Sequence, residues 1–242
     1  MKPMAIVRMG SSYAEFVRKK GDFTDWVTAG CGLRGDAVTH VDAQGGASLP
    51  AIDRIRGAIL TGSHAYVTER APWSEAVAEW IREAVSRNLP LLGICYGHQL
   101  IAHALGGRSA VNPAGLEFGT VEITTTASAA HDPLFQALFP GFHAHTCHTQ
   151  TVVQLPSGAI LLATSRRDAH QAFRVGRCCW GVQFHPEFDG TAMRYYIDQY
   201  RQPLIDQGSE PERLKSAVAP TPRSNALLPA FTALAQAALT GA

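Results

Sequence analysis

Residues 91–107 read LLGICYGHQLIAHALGG. The first four are an apolar run of the kind found in strands covered on both sheet faces. The run stops at Cys95, with Gly93 and Gly97 on either side, and the spacing beyond predicts a helix closed by Gly106 and Gly107. Gly-x-Cys-x-Gly between a strand and a helix has the form of a nucleophile elbow. Such a turn strains the backbone, so small residues are needed on both flanks. It would lift a thiol to the carboxyl edge of the sheet, beside helix N–H groups and a dipole that favour thiolate. The elbow alone leaves catalysis and simple packing of a buried cysteine both open.

Working outward, strands and helices alternate. The segments MAIVRMG, AVTHVDA and RGAILTGSHAY predict three further strands, the last running from Ala58 to Leu60 into a loop at Gly62 and Ser63. Ala76, Val77, Trp80, Ile81, Ala84 and Val85 have helical spacing, with Ser74 as candidate N-cap and Asn88 near the stop. This order predicts an α/β fold with a mostly parallel central sheet and helices on both faces. After Gly107 come short runs such as LEFGTVEITTT, AILLATS and CWGVQF, a strand-rich half that is partly antiparallel. Helix returns from Thr191. VAPTPRS is the one candidate linker, and the residues beyond it are too few for a domain. The aromatic face of Tyr195, Tyr196 and Tyr200 reads as core.

Composition narrows the function. The 242 residues are 46% hydrophobic and 17% charged, with a formal net charge of +1 and scattered basic residues. A phosphate backbone would demand a basic stripe, so nucleic acid is not an expected partner. No apolar run has the length of a membrane span or signal core, so a cytoplasmic location without membrane contact is expected. The five cysteines, at 31, 95, 147, 178 and 179, have neither zinc-site nor disulfide spacing and read as reduced thiols. His143, His145 and His148 fit no zinc signature, so neither metal nor cofactor is expected.

A thiolate nucleophile needs a base held by a third group. GVQFHPEF offers both, as a strand ending in His185 followed by Pro186 and Glu187. In extended backbone, residues two apart face the same side, and Pro186 disfavours helix at His185.

Together, LLGICYGHQLIAHALGG and GVQFHPEF resemble the class I glutamine amidotransferases, in the branch similar to the amidotransferase domain of GMP synthase. The resemblance covers roughly Val7 to Phe188. It implies a flavodoxin-like sheet with a small antiparallel side layer, an amidotransferase domain over 1–190 and a helical extension over 191–242 packed on it. It also implies Cys95 as nucleophile, His185 as general base and acid, and Glu187 as orienting carboxylate. The N–H groups of Gly62 and Tyr96 would form the oxyanion hole, although Gly62-Ser63-His64 stands where the family usually has Gly-Gly-Pro. Gln99 and His148 match residues on the substrate side, Cys147 stands at the family's serine, and Gln150 falls where acid is common. Glu117 matches a turn residue that is structural or lines the cleft.

The implied reaction cleaves a γ-glutamyl amide through a Cys95 thioester and releases glutamate and ammonia, with a separate synthetase subunit as possible partner. A γ-glutamyl peptidase would use the same residues. The contrasting readings are a non-catalytic regulatory member and a peroxidatic cysteine with Cys147 as resolving thiol.

Overall fold

The computed structural model describes residues 2–240. Strands β1 (Met4–Arg8), β2 (Val38–Asp42), β3 (Gly57–Leu60) and β4 (Leu91–Ile94) alternate with helices α1 (Ala14–Lys20), α2 (Phe23–Gly30) and α3 (Pro72–Ser86). Helix α4 (Tyr96–Ala104) leads into β5 (Arg108–Val111), β6 (Glu117–Thr125), β7 (Gly141–His148), β8 (Gln150–Gln154), β9 (Ile160–Thr164), β10 (Ala172–Val175) and β11 (Cys179–Val182). The chain then turns helical through α5 (Gly190–Gln199), α6 (Arg201–Asp206), α7 (Pro211–Ser216), α8 (Pro222–Asn225) and α9 (Leu227–Thr240).

Nine strands form one sheet in the order β2-β1-β3-β4-β11-β10-β9-β6-β7. From β2 to β11 every pairing is parallel, whereas β10, β9, β6 and β7 add on antiparallel. The expected antiparallel layer thus takes two forms, this continuation and a separate two-stranded sheet, β5 with β8. Every residue of β3, β4 and β11 is buried, as apolar strands under helices on both faces must be. One core lies on each side of the sheet. Ile59, Leu92 and Trp180 pack with Leu228 and Phe231 of α9, while Leu60, Leu91 and Phe173 pack with Val77 and Ile81 of α3 and Leu100 and Ile101 of α4.

The α9 residues Leu227, Leu228, Phe231 and Ala235 therefore belong to the same core as β1 and β4. The helical extension expected from the sequence reaches residues 241 and 242, which lie outside the described residues. Helix α3 starts at Pro72, with Ala71 as N-cap, and not at a cap on Ser74. Proline lacks the N–H that the first helical position leaves unbonded in any case. Ser74 sits inside the first turn, where its hydroxyl accepts a 2.7 Å hydrogen bond from Tyr96 Oη. Among the described residues, no helix is long and apolar enough to cross a membrane.

Parallel order decides where the chemistry gathers. Because β3, β4 and β11 run side by side in one direction, the residues leaving their carboxyl ends meet on one sheet edge. Those residues include Gly62, Cys95 and His185.

Candidate active site

Cys95 caps α4 with φ 50° and ψ −98°, a left-handed backbone on a residue that carries a Cβ. Its amide donates to Val182 O at 2.8 Å and its carbonyl accepts from Gln99 N at 3.1 Å. The flanking glycines are required by contact. A Cβ on Gly93 would lie 2.4 Å from the carbonyl carbon and oxygen of Gly97, and one on Gly97 would lie 2.6 Å from Leu60 O. At Gly62, a Cβ would sit 3.3 Å from His185 Cε1 and 3.8 Å from Cys95 Cβ, so the β3 loop lies directly against both residues. Tyr96 is the first residue of α4, where the amides have no carbonyl partner within the helix.

The strand expected to end at His185 ends earlier, at Val182. His185, Pro186, Glu187 and Phe188 form a turn in which Phe188 N donates to His185 O at 3.3 Å. Proline, with its fixed φ, suits the second position of such a turn. The turn, and not an extended backbone, brings the imidazole and carboxylate together. His185 Nδ1 donates to Glu187 Oε1 at 2.8 Å, which leaves Nε2 for the cleft that His185 shares with Cys95. Phe188 stacks on the imidazole at 4.2 Å between centroids, and the Phe23 ring lies nearly parallel to it at 6.5 Å. Both side chains of the pair are almost wholly buried. Burial opposes a charged imidazole, but the negative charges of Glu187 and Cys95 outweigh it and raise the His185 pKa to about 10. The arrangement is that of a cysteine beside an imidazole held by a buried carboxylate.

The cleft at this edge is lined by Cys95, His185, Tyr96, Gln99 and His148, so the residues singled out in the sequence meet there, with Glu187 behind His185. Gln99 Nε2 donates to Gln150 O at 2.9 Å and to Gln183 Oε1 at 3.0 Å. His148 lines the cleft with both ring nitrogens already bonded to protein, Nδ1 to Gln150 O at 3.0 Å and Nε2 to Glu117 Oε2 at 3.1 Å. Glu117 also accepts from Ser165 Oγ and Gln171 Nε2, so it is a buried anchor behind the cleft. Burial pushes its pKa up, but the bonds and charge of His148 and the Ser165 bond together hold it below the usual carboxylate range.

Cys147 lines the same cleft as Cys95, and all five cysteines are free thiols. Burial raises the Cys147 pKa well above its ordinary value, which disfavours its thiolate. The aromatic face of α5 is not core alone, because Tyr196 lines the cleft, as does Tyr200 at the helix end. Phe23 and Phe188 are invisible as site residues in the sequence. A phenylalanine carries no signal of chemistry, and only the fold sets its ring against an imidazole. Among the described residues, no group of three or more His, Cys, Asp or Glu is placed to hold a metal ion.

The model of the class-I glutamine amidotransferases matches residues 37–200. Among curated relatives, a γ-glutamyl-L-1-hydroxyisopropylamide hydrolase of a Pseudomonas species is 32% identical over 162 residues, 63% of this chain and 54% of that protein. A glutamine-hydrolysing GMP synthase of Cytophaga hutchinsonii is 35% identical over 141 residues, 57% of this chain and 26% of the relative. The chain thus spans about half the length of the first relative and a quarter of the second. In structure, a glutamine amidotransferase from Thermotoga maritima superposes with a TM-score of 0.75 at 21% identity, covering 97% of this chain and 98% of that one. With the family model matched over most of the chain and the fold shared along nearly all of it, this protein belongs to the class-I glutamine amidotransferase family.

Proposed function

We propose that this protein hydrolyses γ-glutamyl amides through a thioester on Cys95, with His185 as acid and base and Glu187 as its orienting carboxylate. The observation that carries the reading is His185, bonded to Glu187 at 2.8 Å and lining the same cleft as Cys95, itself at φ 50°.

The Cys95 thiolate attacks the γ-carbonyl carbon, and the oxygen that becomes an anion is held by the N–H groups of Gly62 and Tyr96. His185 passes its proton to the amide nitrogen as the C–N bond breaks, releasing the amine and leaving a γ-glutamyl thioester. The same ring then takes a proton from water, whose oxygen attacks the thioester and frees glutamate while the thiolate is restored. Glu187 fixes the tautomer throughout, with its proton-accepting oxygen on Nδ1. Gln99 has its amide nitrogen committed to Gln150 and Gln183, so its oxygen is the atom left to receive the substrate's ammonium. His148 holds the Gln150 carbonyl in place behind it.

Glutamine is the simplest substrate, with ammonia as the released amine. One relative, a subunit of the glutamine-hydrolysing GMP synthase of Halobacterium salinarum, is 38% identical over 111 residues. This supports a separate synthetase as a recipient of ammonia. The hydrolase relative, named for a substituted γ-glutamyl amide, supports a stand-alone hydrolase. A γ-glutamyl peptidase would use the same triad. Release of glutamate from glutamine and from substituted γ-glutamyl amides tests the reading. Cys95→Ser should lower turnover by about a thousandfold or more while Cys147→Ser stays active. Undiminished turnover in Cys95→Ser would overturn it.

A further inference from the structure

We infer that Asn225, in α8, is a positioning residue for this reaction: its side-chain amide holds the turn that carries Glu187 and so keeps the carboxylate on His185. This rests on the thioester reading and extends the apparatus of the site beyond residues 37–200, over which the family model matches.

The Glu187 side chain does little to hold itself. Its Oε1 meets His185 Nδ1 at 2.8 Å, but its Oε2 is buried without a hydrogen-bond partner. A carboxylate with one bond keeps its place only if its backbone does. That backbone is a turn, tied within itself by Phe188 N to His185 O at 3.3 Å, and Pro186 brings no N–H. The turn is fixed from outside. Asn225 Nδ2 donates to Pro186 O at 2.7 Å and to Phe188 O at 3.1 Å. A side-chain amide has two N–H groups, so both are committed here, one to the residue before Glu187 and one to the residue after it. The amide cannot sit the other way round, because its oxygen would then face two carbonyl oxygens. The second bond also fixes the Phe188 backbone, whose ring stacks on the His185 imidazole at 4.2 Å.

A clamp must itself be seated. Asn225 directly follows VAPTPRS, the stretch that reads in sequence as a linker. In the fold that stretch is tied down at both ends. Val218 O accepts from Arg194 Nη2 at 3.0 Å, and Ala219 N donates to Thr120 Oγ1 at 3.1 Å. Arg223 Nη2 donates to Ala137 O at 3.0 Å and to Phe139 O at 3.3 Å. Beyond Asn225, Leu227 and Leu228 of α9 are buried in the core under the sheet. These contacts seat α8 without Asn225, so removing its amide frees the turn and leaves the helix in place.

The test measures kcat and KM for glutamine with the intact protein, and the titration of His185 by NMR with labelled histidine. Asn225→Ala should lower kcat by about tenfold or more while KM changes by less than about twofold. Besides Glu187, the groups that act on the His185 charge are Cys95, His64 and His145. As Glu187 leaves the ring, the His185 titration should move down from about 10 by about one pH unit or more. Leu228→Val, which trims a buried side chain of the same extension away from the turn, should keep both kcat and the titration. Asn225→Ser, which keeps one donor, carries the same test with a smaller fall if the alanine variant does not fold. An unchanged kcat and titration in the folded Asn225 variant overturns the inference. So does an equal loss in Leu228→Val, which would make the effect a general loosening of the extension. If the wild type cleaves no γ-glutamyl amide, the thioester reading falls, and the His185 titration alone decides whether Asn225 holds Glu187.

Discussion

At Cys95 the backbone does something an L-residue resists, with φ 50° on a side chain bearing a Cβ. The conformation persists because Gly93 and Gly97 let β4, α4 and the end of β3 close around it. Gly93→Ala puts a methyl 2.4 Å from the Gly97 carbonyl, backbone against backbone, so neither neighbour can rotate away. The expected cost is about 1–3 kcal/mol or more in chemical denaturation, with activity lost as the nucleophile is displaced. A second prediction concerns pH. His185 is raised from 6.5 to about 10 in the folded protein, so folding favours its protonated form. That contribution is full below about pH 6.5 and is lost as pH climbs towards about 10. Replacing the carboxylate in Glu187→Gln should therefore flatten the fall of thermal stability between those pH values, as followed by calorimetry. An unchanged slope would contradict the charge assignment. The elbow is legible in the sequence because its requirement is local and steric, visible as glycine on both sides of one cysteine. The rings around His185 are not, because Phe23 and Tyr196 arrive from distant segments and nothing near them in sequence names their target.

Among the elements, β11 carries most of the burden of placing His185. It pairs parallel with β4 and antiparallel with β10, and buried Asp132 ties it in place. Asp132 accepts from Trp180 Nε1 at 3.1 Å, from Arg174 Nε at 2.7 Å and from the amides of Leu134 and Phe135. Asp132→Ala leaves these donors without their acceptor and should destabilise the protein by about 3–5 kcal/mol, read from urea midpoints. A change below about 0.5 kcal/mol, the size of a surface substitution, would show that this carboxylate does not anchor β10 and β11. Element identity is readable where apolar periodicity is strong, as in β4 and α3, and boundaries are less so. The run before His185, apolar but for Gln183, continues through Phe184 and so predicts too long a strand, while the strand ends at Val182. Burial beyond the strand end, where Gln183 N still donates to Gln171 O and His185 N to His145 O, looks the same in sequence as burial within a strand.

For the whole molecule, the parallel block from β2 to β11 is the reason that residues 33 and 90 positions apart in sequence, Gly62 to Cys95 and Cys95 to His185, share one edge. The alternation of strands and helices in the first half announces that edge. The antiparallel continuation through β10, β9, β6 and β7 can be recognised as strands but not ordered, because their pairing is set by long-range contacts. Helix α9 likewise reads as an appendage in sequence, yet its Leu228 and Phe231 complete the core beneath the sheet that carries the site. The central claim is that this scaffold holds Cys95 as a nucleophile towards a γ-glutamyl carbonyl. The most direct measurement is intact-mass and peptide mass spectrometry of the protein quenched in acid during turnover of a γ-glutamyl substrate. The predicted result is a glutamyl adduct on Cys95 that is absent from Cys95→Ser treated in the same way. Turnover with no adduct on Cys95 under any quench, or an adduct at Cys147 instead, would contradict it.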